Sequence, residues 1–216
     1  MKKVSLKEQV YTKLVEDIIS GIYPPDSIIT EKELMNKFDC SKAPIREALI
    51  ELCKDNYLKS IPRMGYFVVS CSLKEIIDIL DFRVDLEISN LRRAFPNINE
   101  QQLKQLKDDF YTPDENLIEE RSILDNWLRN QNFHLSICAL SGNSYTLNAL
   151  EKLLMHNSRF FAQYRTLSLI QNSDQKVSFH NKIIDSLLQG DLEVACEMLE
   201  TDIKVVKMEI QEVLKL

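Results

Sequence analysis

The chain has 216 residues, of which 44% are hydrophobic and 28% are charged, a composition typical of a globular protein with one large domain or two small ones. Four glycines are too few for a sheet-rich fold, and the short apolar runs exclude a membrane-spanning helix. Five scattered cysteines without C-x-x-C spacing argue against a disulfide framework and a thiolate metal site, and with no visible signal peptide we expect a cytoplasmic protein.

The formal charge of −6 is divided unevenly along the chain. Residues 1–71 have a net charge of +1, whereas residues 72–216 have −7. Chance composition accounts for such a difference as well as function does. The functional interpretation is a module that faces nucleic acid, attached to an acidic body, and it requires support from motifs.

Two capping boxes predict helices near the N-terminus. In each box, a hydroxyl at the N-cap is followed three residues later by a Glu that can bond back to it. Ser5 and Glu8 precede apolar residues spaced by four, and Gly21 offers a stop for that helix. Thr30 and Glu33 open a short second helix.

A third helix and a β-hairpin are predicted next. Ser41 stands where it can cap a helix with an apolar inner face. After this helix, residues 57–61 alternate as a strand does, residues 62–65 form a turn and residues 66–69 form a returning strand. Three helices followed by a hairpin predict a winged helix-turn-helix.

From residue 72 onward only helical periodicity is visible. A third capping box, at Ser72 and Glu75, begins the first of six helices joined by short loops, which predicts an antiparallel all-α bundle. We therefore predict a winged helix-turn-helix domain over residues 1–71 and a helical domain over residues 72–216, in a mainly α protein. The predicted helices of the second domain are 73–94, 100–110, 115–141, 144–170, 174–189 and 192–214.

The third helix carries basic residues where a recognition helix enters the major groove of DNA. Lys42 and Arg46 are four residues apart and therefore lie on one face. An Arg can bind guanine through two hydrogen bonds, and a Lys donates as a point charge. Gly65, in the predicted wing, would allow close approach to a groove. The alternative is that these are solvated charges on an ordinary helix.

Three segments of this region resemble the GntR family of transcription regulators. They are residues 20–34 with the motifs S-G-I-Y-P-P-D and T-E-K-E-L, residues 40–49 with C-S-K-A-P-I-R-E-A-L, and residues 63–68 with the wing motif R-M-G-Y-F-V. The resemblance implies dimers that bind palindromic, double-stranded operator DNA. The predicted DNA-binding residues are Lys32, Ser41, Lys42, Ala43, Arg46, Arg63 and Gly65.

The chain departs from the GntR pattern at three positions. Asp26 stands where the family usually has Gly, which suggests a different turn. Cys40 replaces Val, and Lys42 replaces Arg. A Lys keeps the charge but loses the two-pronged hydrogen bond, so we expect softer base readout at this position.

The helical half resembles the FCD type of GntR regulator, the FadR-like branch. The matching segments are Leu80–Glu87, Asn132–His134 with Ser141–Asn143, and Phe179–Ala195. In this branch the resemblance implies effector binding, dimerisation and a divalent metal held by one Asp and three His. The matching positions here are Asn130, His134, His180 and Asp202.

Two of the three histidines of the chain fall on these positions. Asn130 stands in place of the family's Asp and Asp202 in place of a His, so the total ligand charge is unchanged. Two imidazoles and a carboxylate can hold Zn²⁺, Ni²⁺ or Mn²⁺. The alternative is a pair of buried, hydrogen-bonded histidines beside a ligand pocket. His156 is interpreted as an exposed or capping histidine.

Arg83 is the candidate for binding the carboxylate of an effector in the same cavity, because its guanidinium can form two parallel hydrogen bonds. The alternative is a structural salt bridge with Glu87, one turn further along. The histidines favour a small organic acid as the effector. The sequence thus predicts a homodimeric, ligand-responsive transcription regulator, and we expect it to act as a repressor.

A metalloenzyme is the competing hypothesis. His134, His180 and Asp202 would then form a two-His-one-carboxylate site on a helical bundle. The sequence offers no nucleophile, general base or cofactor loop to accompany it, and the winged helix would be unexplained.

Overall fold

The structure, a computed structural model, describes residues 4–112, 123–164 and 173–214. Within these residues the chain forms nine α-helices, a short 3-10 helix at Phe95–Asn97 and one three-stranded antiparallel sheet, which confirms the mainly α fold. The helices are α1 (Leu6–Ile19), α2 (Glu31–Phe38), α3 (Lys42–Lys54), α4 (Leu73–Ala94), α5 (Glu100–Phe110), α6 (Ile123–Ala139), α7 (Ser144–Tyr164), α8 (Ser173–Gln189) and α9 (Leu192–Leu214). The strands are β1 (Ile28–Ile29), β2 (Leu58–Ile61) and β3 (Gly65–Val68).

The chain divides into two compact units. The first comprises residues 1–73 and 155–164, and the second comprises residues 74–154 and 165–216. The chain therefore returns to the first unit at the C-terminal part of α7. The sequence did not predict this return.

Side-chain capping bonds start α1 and α2. At α1, the backbone N–H of Glu8 donates to Ser5 Oγ over 3.1 Å and the N–H of Ser5 donates to the Glu8 carboxylate over 3.1 Å, which completes the predicted capping box. At α2, Thr30 Oγ1 accepts from the N–H of Glu33 over 3.2 Å. Ser41 is the N-cap residue of α3, but its side chain makes no capping hydrogen bond.

The core of the first unit lies between α1, α2, α3 and the sheet. Leu14, Ile45 and Leu49 are fully buried in it, as the apolar spacing of their helices predicts. Burying side chains of this size contributes roughly 1.5–3 kcal/mol each relative to leaving them in water. This packing fixes the positions of α2 and α3, whose N-terminal halves carry most of the predicted DNA-binding residues.

Residues from the end of α7 also pack into the first unit. Met155 lies against its core, and Gln163 Oε1 accepts a hydrogen bond of 2.8 Å from the backbone N–H of Cys71. Tyr57 is 3% exposed and its phenol oxygen is hydrogen-bonded to Ser158. Burial raises the pKa of Tyr57 to about 12.

The sheet has one strand more than the predicted hairpin. Strand β3 lies in the centre, and β1 and β2 pair with it on either side in antiparallel orientation. In this register Ile29 lies opposite Tyr66, and Ile61 lies opposite Gly65. Two residues are too short a segment to show strand alternation, which explains why β1 was not predicted.

Gly65 is required by the close approach of β1 to β3. Its φ is +129°, a conformation open almost only to glycine. A Cβ at this position would lie 2.5 Å from the carbonyl oxygen of Ile29. The glycine in the wing motif therefore has a packing role inside the sheet, whatever its role toward DNA.

Asp26 adopts a left-handed backbone conformation, with φ at +66°. Its N–H donates to the carbonyl of Val68 over 3.0 Å, which ties the turn after α1 to the end of β3. Asp26 thus has the conformation that glycine adopts most readily. This removes the reason for expecting a different turn at this position.

The second unit is all-helical in its described residues. Helices α4, α5, α8 and α9 begin within one residue of their predicted starts and end where predicted. Helix α6 is described from Ile123 and α7 as far as Tyr164, so the predicted helical residues 115–122 and 165–170 lie outside the described residues. Among the described helices, none is long and apolar enough to cross a membrane.

Replacing Gly65 with Ala is expected to lower the free energy of unfolding by about 2–4 kcal/mol, because both the φ and the contact with the Ile29 carbonyl become unfavourable. Urea unfolding followed by circular dichroism measures this loss. Gly142→Ala is the matched control, since its φ is +66° but a Cβ there would have no heavy atom within 4 Å. We expect about 1 kcal/mol for the control. Equal losses for the two variants would contradict a role for the close approach of β1.

Candidate functional site

Four helices of the second unit bring five ionisable side chains into one buried cluster, each at most 5% exposed. Charged groups in such a place must compensate one another, because burial of an isolated charge is strongly unfavourable. The cluster consists of Arg83 and Glu87 from α4, His134 from α6, His180 from α8 and Asp202 from α9.

Three of these residues can hold a metal ion together. One ligand atom from each of His134, His180 and Asp202 lies within 4.8 Å of the other two. His134 Nε2 is 3.0 Å from Asp202 Oδ2, and His180 Nε2 is 3.5 Å from the same oxygen. Two imidazole nitrogens and a carboxylate oxygen are a donor set that suits Zn²⁺, Ni²⁺ or Mn²⁺.

Glu87 determines which nitrogen of His134 can act as a ligand. Its Oε2 is 2.6 Å from His134 Nδ1, and since a carboxylate only accepts, Nδ1 carries the proton. In the neutral ring, Nε2 then has a free lone pair directed at Asp202 Oδ2, which is also an acceptor. Two acceptors 3.0 Å apart require a cation between them, either a second proton on the ring or a metal ion.

Asp202 fits the role of a metal ligand. It is 3% exposed, and within the described part of the chain neither of its oxygens accepts a hydrogen bond of good geometry. Burial alone would raise the pKa of Asp202, but the neighbouring His180 and His134 outweigh burial and hold the pKa well below its usual range. The carboxylate is therefore an anion in need of a positive partner.

Arg83 forms the salt bridge that was the alternative to effector binding. Its Nε donates to Glu87 Oε1 over 2.8 Å. Its Nη2 is buried and has no hydrogen-bond partner among the described residues. Arg83 thus supports Glu87 and retains one buried donor, and its contact with an effector stays a prediction.

The pKa values of Glu87 and His134 follow from this arrangement. Burial would raise the pKa of Glu87, but Arg83 and His134 outweigh it and hold this pKa below the ordinary value. Burial would lower the pKa of His134, but Glu87 and Asp202 raise it above the ordinary value. Sequence reasoning considered Glu87 only as a partner of Arg83, because contact with a residue 47 positions away leaves no local signal.

Asn130 and Phe133 border His180. Asn130 Nδ2 is 3.3 Å from His180 Nε2, so a half-turn of the amide would direct Oδ1 at the same ring atom. The Phe133 ring stacks on His180 with a centroid distance of 3.7 Å and an interplanar angle of 20°. The third histidine is elsewhere: half-buried His156 accepts 2.6 Å from Arg159, which corrects its interpretation as exposed or capping.

The predicted DNA-binding residues lie in the first unit. Lys42 and Arg46 on α3 are both more than 60% exposed in their side chains. The others lie at the start of α3, on α2, in the turn between β2 and β3 and at the first residue of β3, and all of these except half-buried Gly65 are exposed. These other residues are Lys32, Ser41, Ala43, Arg63 and Gly65.

Glu31, the first residue of α2, forms ion pairs with Lys42 and Arg46 of α3, a contact that sequence reasoning missed. Its Oε2 is 2.9 Å from Lys42 Nζ, and its Oε1 is 4.0 Å from Arg46 Nε. The Tyr66 hydroxyl donates to the same Oε1 over 3.4 Å. An acidic first-turn residue is an ordinary helix signal, so only the tertiary structure reveals this contact.

Comparisons with known proteins match two family models to different parts of the chain. Residues 6–68 match the family model described as "Bacterial regulatory proteins, gntR family", and residues 78–204 match that of the FCD domain. The HTH-type transcriptional repressor GlaR of Escherichia coli K12 is 28% identical over 194 residues, which cover 88% of either chain. The HTH-type transcriptional repressor RspR of the same organism is 25% identical over 187 residues, covering 86% of this chain and 80% of its own.

A solved structure shares the fold. The structure of E. coli McbR/YncC superposes with a TM-score of 0.81 at 20% identity, over 98% of this chain and all of the other. The relatives and families are transcription regulators, so the metalloenzyme hypothesis is wrong. With an N-terminal helix-turn-helix match and an FCD match over more than half of its length, this chain belongs to the GntR family of bacterial transcription regulators, in the FadR-like branch that carries an FCD domain.

Proposed function

We propose that this protein is a homodimeric repressor that leaves its operator when a small carboxylate binds in its helical domain. Residues 1–71 would bind double-stranded operator DNA, and residues 72–216 would bind the effector and form the dimer. The observation that carries this proposal is the buried cluster around His134, His180 and Asp202 in a chain of the GntR family. Repression is proposed because GlaR and RspR are named as repressors. An operator lies in the bacterial cytoplasm, where we therefore place the protein.

The exposed start of α3 supports the proposed DNA contacts. Lys42 and Arg46 are four residues apart on an exposed helical face, where they can reach base edges in the major groove. The Ser41 hydroxyl makes no capping bond and is available for a phosphate, as are the N–H groups of the first turn. Lys32 would contact the phosphate backbone of the DNA, and Arg63 and Gly65 would form the tip of the wing.

The donor geometry supports a divalent metal in the helical domain. His134 Nε2, His180 Nε2 and Asp202 Oδ2 would bind it, and Asn130 would contribute a weaker oxygen after a turn of its amide. The ion would supply positive charge and open coordination positions for an anionic ligand. Glu87 holds the ring of His134 in the tautomer that this requires.

Arg83 supports the proposal that the effector is a carboxylate. One of its guanidinium nitrogens is buried without a partner among the described residues, and a carboxylate is the natural acceptor for it. An effector that draws α4, α6, α8 and α9 into one packing would favour one arrangement of the dimer over another. It acts on DNA affinity only to the extent that it binds the two arrangements differently.

Arg46→Ala is expected to weaken specific DNA binding by about 1–3 kcal/mol and to relax the sequence preference, because the variant loses a base contact in the major groove. Fluorescence anisotropy with a selected operator duplex and a scrambled duplex measures both effects. Lys54→Ala is the control, since Lys54 is exposed at the opposite end of α3 and carries the same charge. If Arg46→Ala binds the operator as tightly as the wild type does, the assignment of α3 as the reading helix is wrong.

His180→Ala is expected to lower the metal content and the effector response together, because it removes one of three strong ligands. Mass spectrometry of the purified protein measures bound metal, and release of operator DNA titrated with small carboxylic acids measures the response. His156→Ala is the control, since His156 lies outside the cluster and contacts Arg159. The metal proposal is wrong if the wild type carries no metal and added Zn²⁺, Ni²⁺ or Mn²⁺ leaves its melting temperature unchanged. The histidines would then be hydrogen-bonded residues of the pocket.

The full chain is expected to be a dimer at micromolar concentration, because a regulator that reads a palindromic operator addresses two half-sites about one helical turn apart. Sedimentation equilibrium measures the mass. The intact protein is required, since residues 155–164 pack with the first unit. A monomer that binds one half-site would contradict the dimer proposal and leave the DNA contacts of α3 untouched.

A further inference from the structure

An anion from α2 lies beside the two cations on the face of α3 that is proposed to read DNA. Glu31 begins α2 and lies 2.9 Å from Lys42 Nζ and 4.0 Å from Arg46 Nε. The two basic side chains are more than 60% exposed, whereas that of Glu31 is only 23% exposed. The carboxylate is therefore the more firmly placed member of this three-residue group.

Two features keep the Glu31 carboxylate in place. The Tyr66 hydroxyl of β3 donates to Oε1, which ties the side chain to the sheet. Its position in the first turn of α2 puts the negative charge near the positive end of the helix dipole. Glu31 thus remains beside α3 as an anion when Lys42 and Arg46 turn toward DNA.

Ion pairs at an exposed surface are weak and easily exchanged. Lys42 and Arg46 can therefore leave Glu31 for DNA, but the exchange places an uncompensated carboxylate near the phosphates. Non-operator DNA offers phosphate contacts alone in return, whereas the correct bases add directed hydrogen bonds to the major-groove edges. A phosphate bound by Lys42 or Arg46 is an anion held near Glu31 and is repelled by it, whereas a base edge bound by the same side chains carries no net charge. Glu31 therefore disfavours the non-operator complex more than the operator complex, which increases discrimination.

We infer that Glu31 is a specificity-determining residue, which lowers affinity for non-operator DNA by holding Lys42 and Arg46 in intramolecular ion pairs. The inference rests on the proposed role of α3 as the reading helix. It adds a residue whose charge opposes binding and whose removal strengthens the wrong complexes more than the right one.

The test compares Glu31→Gln with the wild type on two duplexes, one selected by the full-length protein from a random library and one scrambled. Gln keeps the size and the contact with Tyr66 but loses the charge. We expect affinity for the scrambled duplex to rise about 3- to 10-fold and operator affinity to rise less, so that the ratio of the two falls. The salt dependence of scrambled-duplex binding should become steeper by about one unit in the log–log slope.

Glu47→Gln is the matched control, because Glu47 is exposed on α3 and forms no ion pair with Lys42 or Arg46 within the described residues. It changes the net charge by the same amount. If both variants raise affinity for the two duplexes by equal factors, Glu31 acts through net charge alone and the inference is wrong. If Glu31→Gln weakens the operator complex and leaves the scrambled one unchanged, Glu31 positions α3 for readout, and the inference is again wrong.

The same assay separates this inference from the function on which it rests. Arg46→Ala that binds both duplexes as the wild type does would show that α3 is not the reading helix. A loss of operator preference in Arg46→Ala together with wild-type behaviour of Glu31→Gln would keep the DNA-binding proposal and overturn only the role of Glu31.

Discussion

The hydrogen bond between Glu87 and His134 is the contact on which the chemistry of the helical unit depends. It joins α4 to α6 in the interior, and Arg83 on one side and Asp202 on the other complete a row of alternating charge. Each member is buried, so each would be destabilising without its neighbours, and removal of one partner from such a pair typically costs about 3–5 kcal/mol. The row also aims one imidazole nitrogen at Asp202. The same side chains therefore compensate one another's buried charge and orient the nitrogen of His134 that would bind a metal.

The charged residues of the first unit that are proposed to contact DNA lie at the surface rather than in a buried cluster. Its net charge in the sequence is close to zero, which is weak for a DNA-binding module. The structure shows that Lys42 and Arg46 of α3 stand at the surface beside the firmly held carboxylate of Glu31. If α3 reads DNA as proposed, this local arrangement and its exchange with phosphates govern binding, and a count of charges over the domain does not describe them.

The sequence predicted most helices to within a few residues, because capping residues such as Ser5 and glycines such as Gly190 mark helix ends locally. Resemblance to the family pointed to the cluster around His134. What could not be predicted depends on contacts far apart in the chain: the two-residue strand β1, the proton-fixing role of Glu87 and the pairing of Glu31 with α3. No periodicity or spacing in the sequence predicts such contacts, because the residues of each pair come together only when the unit that contains them folds.

Helix α7 supplies the last ten residues of the first unit. The phenol of Tyr57 and the backbone of Cys71 are bonded to side chains from this part of the helix, Ser158 and Gln163. The module that carries α3 is thus discontinuous in the gene. A chimera that fused residues 1–71 of this chain to the helical domain of another regulator would leave these partners behind, so transfer of this DNA-binding domain requires that the end of α7 be transferred with it. In this chain the N-terminal residues 1–73 and the end of α7 form one structural unit, and a gene fusion has to carry both.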